Sequence, residues 1–483
     1  MKKAFVFIVA ASAGWAVTAP SHADTLDDIV KAMGADKLKT VEFIGTGYYF
    51  HFGGSNLSSE PWPKFNLKPY LQRVDYGVPS MGLDLILTQA LFPPRGAGGQ
   101  PIRKTHARYW YLNGDIGWGI SRSGKPQEAR STTRSHHALW TTPHGVVKAL
   151  QAAKAEIKMR KTGGKTYKTA TFGKKGAFTA TAWFDKNNIL RGVDSRISNF
   201  LMGDMPSRTL YGDYKDIGGI KFPMRIQVTY GDHPGFDIKL TEVKPNAPVD
   251  VTVPKKILKQ KYAVKSEKIA NGVWYLRGGS HHSVVIEMAD HVIVYEGPLN
   301  NTRGQAVLDA ARKLVSGKPI RYVINSHHHY DHSGGLRPFV ADGITIVTHE
   351  TNKGFYQKAL SYPARIRPDR LSKSGKKAKF LTVTDRHTFS DSRQTIELYT
   401  LKGSPHSETN MIAYLPKHKV LIVADAYSAR RIYDKPVKKD RVNPTSIHLW
   451  NTLADLKLDI ETVLPIHGKK VGLQQIRFAA GLE

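Results

Sequence analysis

Two hydrophobic patterns follow one another along the chain. Over residues 24–253, short apolar and aromatic runs alternate with turn signals, as in VEFIGTGYYFHF (41–52), RYWYL (108–112) and ATAWF (180–184). Runs of this length predict antiparallel strands, and Gly218-Gly219 between two of them predicts a tight hairpin turn. Residues 143–160 have the pattern of a helix. The first part of the chain therefore predicts a β-rich α+β domain.

A different pattern begins after a segment that reads EVKPNAPVDVTVPKKILK (242–259), whose three prolines and several charges predict a linker. Beyond it, short β-branched runs alternate with amphipathic stretches such as residues 305–315 and 444–456. Strands are expected at residues 272–277, 283–288, 291–296, 320–325, 344–348, 395–401, 411–415, 420–423 and 461–465. Alternation of this kind predicts an α/β layered domain over residues 254–483.

The N-terminus has the three-part layout of a secretory signal peptide. Lys2 and Lys3 precede an apolar run at residues 4–19, and Ser21-His22-Ala23 offers small residues at the cleavage positions. A membrane anchor is the alternative, but the run is short for a bilayer span. We therefore expect residues 1–23 to be removed by cleavage after Ala23, and the protein to be periplasmic or secreted.

Composition narrows the chemistry. Cysteine is absent, which excludes disulfides and thiolate metal ligands. The net charge of +31 is spread over both halves of the chain, so it is not a basic tail. It suits an anionic small-molecule substrate, peripheral contact with an anionic envelope surface, nucleic acid, or simply a solvated surface. No nucleic-acid-binding module is recognisable, so no specific nucleic-acid partner is expected.

The segment RYVINSHHHYDHSGG (321–335) carries the strongest chemical signal. A β-branched strand is followed by four potential metal ligands within six residues, namely His327, His329, Asp331 and His332. Imidazole nitrogen and carboxylate oxygen are ligands for zinc and related divalent metals, and a catalytic site leaves one position open for water. A histidine-rich surface tract is the alternative, but such a tract does not normally follow a buried type of strand.

HHHYDH resembles the HxHxDH signature of the metallo-β-lactamase superfamily, and further ligands follow in the family's order. They are His406 in GSPHSETNMIAYLP, Asp425 at the end of VLIVAD, and His467 in VLPIHG. The resemblance covers residues 260–483 and implies an αββα sandwich that binds two divalent metal ions, of which Zn²⁺ suits the ligands best. It assigns one metal to His327, His329 and His406 and the other to Asp331, His332 and His467. Members similar to glyoxalase II carry a metal-bridging aspartate at the position of Asp425, whereas in the all-histidine β-lactamase subclass an aspartate can end this strand without bridging.

The resemblance also implies the reaction. A metal-bound hydroxide, oriented by the catalytic Asp331, would attack an ester, thioester, lactone or amide carbonyl. A β-lactamase of the all-histidine subclass and a phosphodiesterase are the enzymatic alternatives. The non-enzymatic alternative is an envelope ligand-binding protein with a vestigial metal site. His329 stands where flavodiiron oxygen reducers carry a carboxylate, so oxygen reduction is disfavoured.

Several other side chains have weaker assignments. His281 and His282, in a loop expected to face the site, and Asn410 are candidate substrate contacts. His328 is expected to point away from the metals. Glu296, and the histidines of the first domain at positions 136, 137 and 144, are expected to be structural.

Overall fold

The first part of the chain forms one long antiparallel sheet. The computed structural model describes residues 25–121, 123–129, 131–255, 257 and 263–483, so the expected signal peptide and part of the expected linker lie outside the described residues. Thirteen strands join in the order β6-β5-β4-β3-β2-β1-β13-β12-β11-β10-β9-β8-β7. They are β1 (Thr40–Phe50), β2 (Lys64–Asp75), β3 (Ser80–Gln89), β4 (His106–Asn113), β5 (Ile116–Ile120), β6 (Pro126–Glu128), β7 (Lys158–Thr162), β8 (Lys165–Lys174), β9 (Phe178–Phe184), β10 (Leu190–Asn199), β11 (Gly203–Ile217), β12 (Ile220–Tyr230) and β13 (His233–Pro245).

The glycine turn and the alternation of buried and exposed residues in this sheet agree with the sequence. Gly218 and Gly219 both have positive φ, and they close the hairpin in which Ile217 pairs with Ile220. Glycine adopts such angles without the steric penalty of a side chain. Along β1 and β9, buried residues alternate with more exposed ones, so one face of the sheet lies on the core.

Three helices pack against the sheet: α1 (Leu26–Met33), α2 (Thr133–Trp140) and α3 (Pro143–Ala152). The expectation of a helix over residues 143–160 is wrong at its end. The helix stops at Ala152, the backbone turns at Lys154 with φ of 46°, and β7 follows. β7 is an edge strand with mostly exposed residues, so its sequence lacks the apolar alternation that marks the other strands.

The second part contains two sheets. The seven-stranded sheet comprises β14 (Lys265–Ala270), β15 (Val273–Arg277), β16 (Ser283–Glu287), β17 (Val292–Tyr295), β18 (Ile320–Ile324), β19 (Thr345–His349) and β20 (Phe380–Val383), in that order. The five-stranded sheet comprises β21 (Arg386–Ser390), β22 (Thr395–Thr400), β23 (Met411–Leu415), β24 (Val420–Val423) and β25 (Thr462–Pro465). The pairings β17–β18, β18–β19, β19–β20 and β24–β25 are parallel.

Helices cover the outer faces of these two sheets. The chain forms α4 (Asn301–Leu314), α5 (Tyr330–Ser333), α6 (Leu336–Asp342), α7 (Lys353–Ser361), α8 (Arg370–Ser374), α9 (Pro444–Leu456) and α10 (Gln474–Ala479). Short 3₁₀ helices occur at Ala35–Lys37, Glu350–Asn352, Pro416–His418 and Lys439–Arg441. One buried cluster joins the inner faces of the two sheets, from Val284 and Ile324 to Ile396 and Ile422. A second joins β23–β25 to α9 and α10, and α4 and α6 cover the seven-stranded sheet.

The layers are therefore helix, sheet, sheet and helix, preceded by a β-rich part, and the expected α/β fold class is confirmed. The loops that follow β18, β24 and β25 bring the histidine-rich segments together at one end of the sandwich. The core of the first part runs without a break into the layer of α4 and α6. Among the described residues, the structure has no helix that is long and apolar enough to span a membrane.

Candidate metal centre

Two histidines at the end of β18 begin the site. His327 and His329 are buried, and His327 Nε2 lies 2.9 Å from His329 Nδ1. Their outer nitrogens are engaged, His327 Nδ1 with Ser326 Oγ at 2.9 Å and His329 Nε2 with the Ser55 carbonyl at 2.7 Å. Burial lowers the pKa of His329 to about 3, so its ring is neutral at physiological pH. Because a carbonyl only accepts, Nε2 carries the hydrogen and Nδ1 presents a lone pair.

His406 and Asp425 complete the first set of ligand atoms. His406 Nε2 lies 3.1 Å from Asp425 Oδ2. The ligand atoms of His327, His329, His406 and Asp425 all lie within 4.8 Å of one another, and we call these four residues the His327 group.

A second set lies on the other side of Asp425. The ligand atoms of His281, His332 and His467, the His281 group, also lie within 4.8 Å of one another. Asp425 Oδ1 is 2.9 Å from His332 Nε2 and 2.7 Å from His467 Nε2. Asp425 therefore directs one oxygen to each group.

Carboxylate and carbonyl groups orient the rings of the His281 group from outside. His332 Nδ1 bonds to Glu296 Oε2 at 3.0 Å, and His467 Nδ1 lies 2.8 Å from the Ser280 carbonyl. His281 Nδ1 is 2.9 Å from Ser280 Oγ. Partners of this kind fix the ring orientation of metal-binding histidines and leave the inner nitrogen free to bind.

Asp331 lies at the edge of the His281 group. Its side chain is 47% exposed, and its Oδ2 is 3.3 Å from His281 Nε2. Loss of solvation acts to raise its pKa, but the hydrogen bond from His281 and the charge of His332 hold the pKa of this carboxyl well below its usual range. Asp331 is therefore an ionised, accessible carboxylate beside the group.

The charges within the site explain a contrast between two histidines. Burial and the neighbouring rings lower the pKa of His327 well below its ordinary value. Burial would lower the pKa of His332 too, but the carboxylates of Asp425 and Glu296 raise it well above that value. The two carboxylates thus stabilise positive charge at the His332 ring.

The residues fit a bound divalent cation. His332 Nε2, His406 Nε2 and Asp425 Oδ1 are buried and make no hydrogen bond with any described residue, although the contacts among these side chains are 2.7–3.1 Å. Buried polar atoms are normally satisfied, and a divalent cation would satisfy these three. Imidazole nitrogens with one carboxylate suit zinc and similar transition metals better than calcium or magnesium, which prefer oxygen.

The remaining sequence candidates have defined positions. His282 directs both ring nitrogens to backbone groups, Nδ1 to the Gly278 amide at 3.2 Å and Nε2 to the Gly468 carbonyl at 2.8 Å. The buried side-chain amide of Asn410 has no hydrogen-bond partner among the described residues. His328 points away from the His327 group, as expected, toward Ser55 Oγ at 3.1 Å.

The histidines of the first part are far from this chemistry. His137 Nε2 lies 3.0 Å from Ser195 Oγ, and His144 Nε2 donates to the Met33 carbonyl at 3.0 Å. His136 lies 3.1 Å from Asp115. These partners belong to the first sheet and its helices, so the three residues support the fold of that part.

Sequence reasoning missed some contributors. It treated His281 as a substrate contact and Glu296 as merely structural, although Glu296 also accepts from the Ser326 amide at 2.8 Å and so joins the strand end to His332. It also missed Ser55 and Asn56 of the first part, which bond to His329 and to the segment around His406. No sequence pattern indicates that the outer ring nitrogens of His281 and His467 contact Ser280. The sequence also contains no motif at residues 51–58.

Comparison with known proteins identifies the C-terminal domain. Residues 276–467 match the family model of the metallo-β-lactamase superfamily, so this part of the chain is a metallo-β-lactamase-type domain. No curated protein matches the chain.

Solved structures similar to the chain include two metallo-β-lactamases. The enzyme from Pontibacter korlensis is 17% identical with a TM-score of 0.35, and the match covers 45% of this chain and 98% of that one. The enzyme from Hirschia baltica is 18% identical with a TM-score of 0.34, and the match covers 45% and 96% respectively.

Proposed function

We propose that the protein is an exported, metal-dependent hydrolase of an ester, thioester, lactone or amide. The observation that carries the proposal is the convergence of two ligand groups on the two oxygens of one partly buried carboxylate, Asp425. A vestigial site would not be expected to keep every ligand together with the partners that orient it. Two divalent cations, Zn²⁺ by ligand type, would be held by the His327 group and the His281 group.

Bound divalent cations would supply Lewis acidity and would lower the pKa of bound water toward neutral pH. The chain's own residues supply the rest. Asp425 would hold both groups in register, since each of its oxygens faces one of them. Asp331 is ionised and exposed, so its carboxylate can accept a hydrogen bond from the attacking water and orient it while substrate approaches.

Charge near the site favours an anionic small-molecule substrate. The exposed side chain of Arg430 places Nη2 2.8 Å from His467 Nδ1, so a fixed positive charge lies beside the His281 group. The net charge of +31 would also attract anionic molecules to the protein as a whole. The same charge would support peripheral contact with an anionic envelope surface after export, whereas nothing in the site suggests a specific nucleic-acid partner.

A substrate panel tests the reaction class. The zinc-loaded chain would be assayed against a chromogenic cephalosporin, a thioester, an acyl lactone, an aryl ester and a phosphodiester. We expect chelator-sensitive hydrolysis of one of the carbonyl substrates. Turnover of the cephalosporin alone would make the protein a β-lactamase, and turnover of the phosphodiester alone would overturn the carbonyl-hydrolase proposal.

A pair of variants ties the activity to the site. His327→Ala removes a ligand whose Nε2 faces His329, and we expect it to abolish turnover. His418→Ala is the matched control, because His418 bonds to Gln394 in a turn remote from the ligands. Full activity in His327→Ala would overturn the proposal, as would equal losses in the two variants.

A further inference from the structure

A loop of the first domain reaches the ligands of the C-terminal domain. We call residues 51–58, which follow β1, the Ser55 loop. Phe52 contacts the ring of Tyr330 edge-on, with centroids 4.7 Å apart. Gly53 has φ of 67°, and a Cβ at this position would lie 2.4 Å from the same ring. The loop is thus pressed onto α5, the helix that carries Asp331 and His332.

Ser55 holds one metal ligand and its neighbour. It is 3% exposed, and its carbonyl accepts the Nε2 hydrogen of His329 at 2.7 Å. Its hydroxyl lies 3.1 Å from His328 Nε2. The first bond fixes the tautomer of His329, so that Nδ1 is the nitrogen available to a metal. A residue of the first domain therefore orients a ligand of the His327 group.

Asn56 holds the segment that carries His406. It is 3% exposed, and its Nδ2 donates to the carbonyls of Ser404 at 3.0 Å and Pro405 at 3.2 Å. Its own carbonyl accepts from Ser407 Oγ and from the Glu408 amide, both at 3.2 Å. Asn56 thus bonds to the residues on both sides of His406.

A second loop of the first domain supports Asn56. Arg95 Nη2 donates to Asn56 Oδ1 at 2.6 Å and lies 3.3 Å from Glu408 Oε1. The amide of Gly96 donates to the Pro405 carbonyl at 2.8 Å. Both polar atoms of the Asn56 side-chain amide are therefore hydrogen-bonded. Arg95 donates to Oδ1, and two backbone carbonyls accept from Nδ2, so the orientation of the amide is fixed.

The His281 group has its supports elsewhere. Its outer nitrogens contact Ser280 and Glu296, which lie in the C-terminal domain itself. The hydrogen bonds from Ser55 and Asn56 therefore support one ligand group, the His327 group.

We propose that the first domain is a built-in scaffold of the metal centre, in which Ser55 and Asn56 are positioning residues for the His327 group. This inference rests on the metal centre of the proposed function, but it concerns metal binding and not the reaction. It assigns a role to a domain whose sequence carries no catalytic motif. It also predicts that loss of the Asn56 contacts affects one metal position and spares the other.

Metal affinity of the full chain tests the proposal. Zinc would be titrated against a chromophoric chelator, and cobalt-loaded protein would report each position by its visible absorption. Asn56→Ala should weaken zinc binding at one position by about 10- to 100-fold, the usual effect of losing such a support. Asn56→Asp should weaken it at least as much, because a carboxylate would face two carbonyl oxygens.

Ser58→Ala is the matched control. Ser58 lies on the same loop and donates to the Thr351 carbonyl at 3.2 Å, so the variant removes a contact between the domains without touching the segments that carry His329 and His406. We expect both positions to keep wild-type affinity in it. If Asn56→Ala does not fold, Arg95→Met serves instead, because Arg95 is 46% exposed and its loss removes only one support of Asn56.

Three results would overturn the proposal: wild-type affinity at both positions in the Asn56 variants, equal weakening of both positions, or a wild-type chain that binds no metal. A wild-type chain that binds two metals but hydrolyses no substrate would remove the proposed function only. Selective loss of one position would then still support the scaffold.

Discussion

Replacing Glu296 with glutamine should weaken metal binding at the His281 group. Glu296 is fully buried, and its two oxygens accept from the Ser326 amide at 2.8 Å and from His332 Nδ1 at 3.0 Å. Glutamine has one oxygen and one NH₂, so it can satisfy only one of these donors. If the oxygen stays on Ser326, the NH₂ faces His332 and favours the tautomer that carries hydrogen on Nε2, the nitrogen needed by a metal.

The size of the effect follows from the bond that is lost. A buried hydrogen bond to a charged group contributes about 1.5–3 kcal/mol. Since about 1.4 kcal/mol corresponds to a factor of ten, we expect zinc affinity at one position to fall by roughly 10- to 100-fold. The His327 group should keep its affinity, because its outer contacts are to Ser326 and Ser55.

Competition titration with a chromophoric chelator measures both affinities. Glu287→Gln is the matched control: it also neutralises a glutamate of the same sheet, paired with Lys318 at 2.8 Å and Arg393 at 2.6 Å instead of a ligand. A change of less than about threefold in Glu296→Gln would show that Glu296 does not support the metal ligand His332, and so would an equal loss in Glu287→Gln.

The remaining predictions concern a metal ligand, a buried histidine of the first part, and the bound metal itself. His281→Ala should reduce the bound zinc from two ions per chain toward one, measured by elemental analysis, and two tightly bound ions in this variant would exclude His281 as a ligand. His282→Gln should keep two ions, because both ring nitrogens of His282 bond to the backbone of Gly278 and Gly468. Burial lowers the pKa of His144 to about 4 from an ordinary 6.5, so its contribution to stability is complete above pH 6.5 and falls by up to about 3 kcal/mol as the pH drops to 4. Urea unfolding of His144→Gln should therefore show a shallower loss of stability over this pH range than the wild type, and parallel curves would contradict the assignment. Removing metal with a chelator should lower the melting temperature measured by calorimetry, and zinc should restore it, because an ion that binds only the folded chain stabilises that state; an unchanged melting temperature would count against a bound metal.

The strands and helices of the C-terminal fold could be predicted from the sequence, because its buried strands are short β-branched runs bounded by glycine, proline or polar turns. The strand expected at residues 411–415 is β23, and the helix expected at 444–456 is α9, with Asn443 as its N-cap and Pro444 in its first turn. The end of α3 was missed because β7 is an exposed edge strand without apolar alternation. The local pattern of apolar and polar residues thus fails to predict a strand that buries little apolar surface.

Some residues of the metal centre could likewise be predicted from the sequence, and others could not. His327, His329 and His332 come together because they follow one strand, and their spacing alone indicated a metal site. The roles of Ser55 and Asn56 depend on contacts across more than 270 residues of sequence, and no motif distinguishes these two from ordinary loop residues. His281 was noticed, but its place beside His332 and His467 depends on the packing of the two sheets.

Anomalous diffraction at the zinc edge, from crystals of the zinc-loaded chain, would locate the bound metal ions. We expect two peaks on either side of Asp425, one enclosed by His327, His329 and His406 and the other by His281, His332 and His467. A single peak, or peaks away from Asp425, would contradict this arrangement.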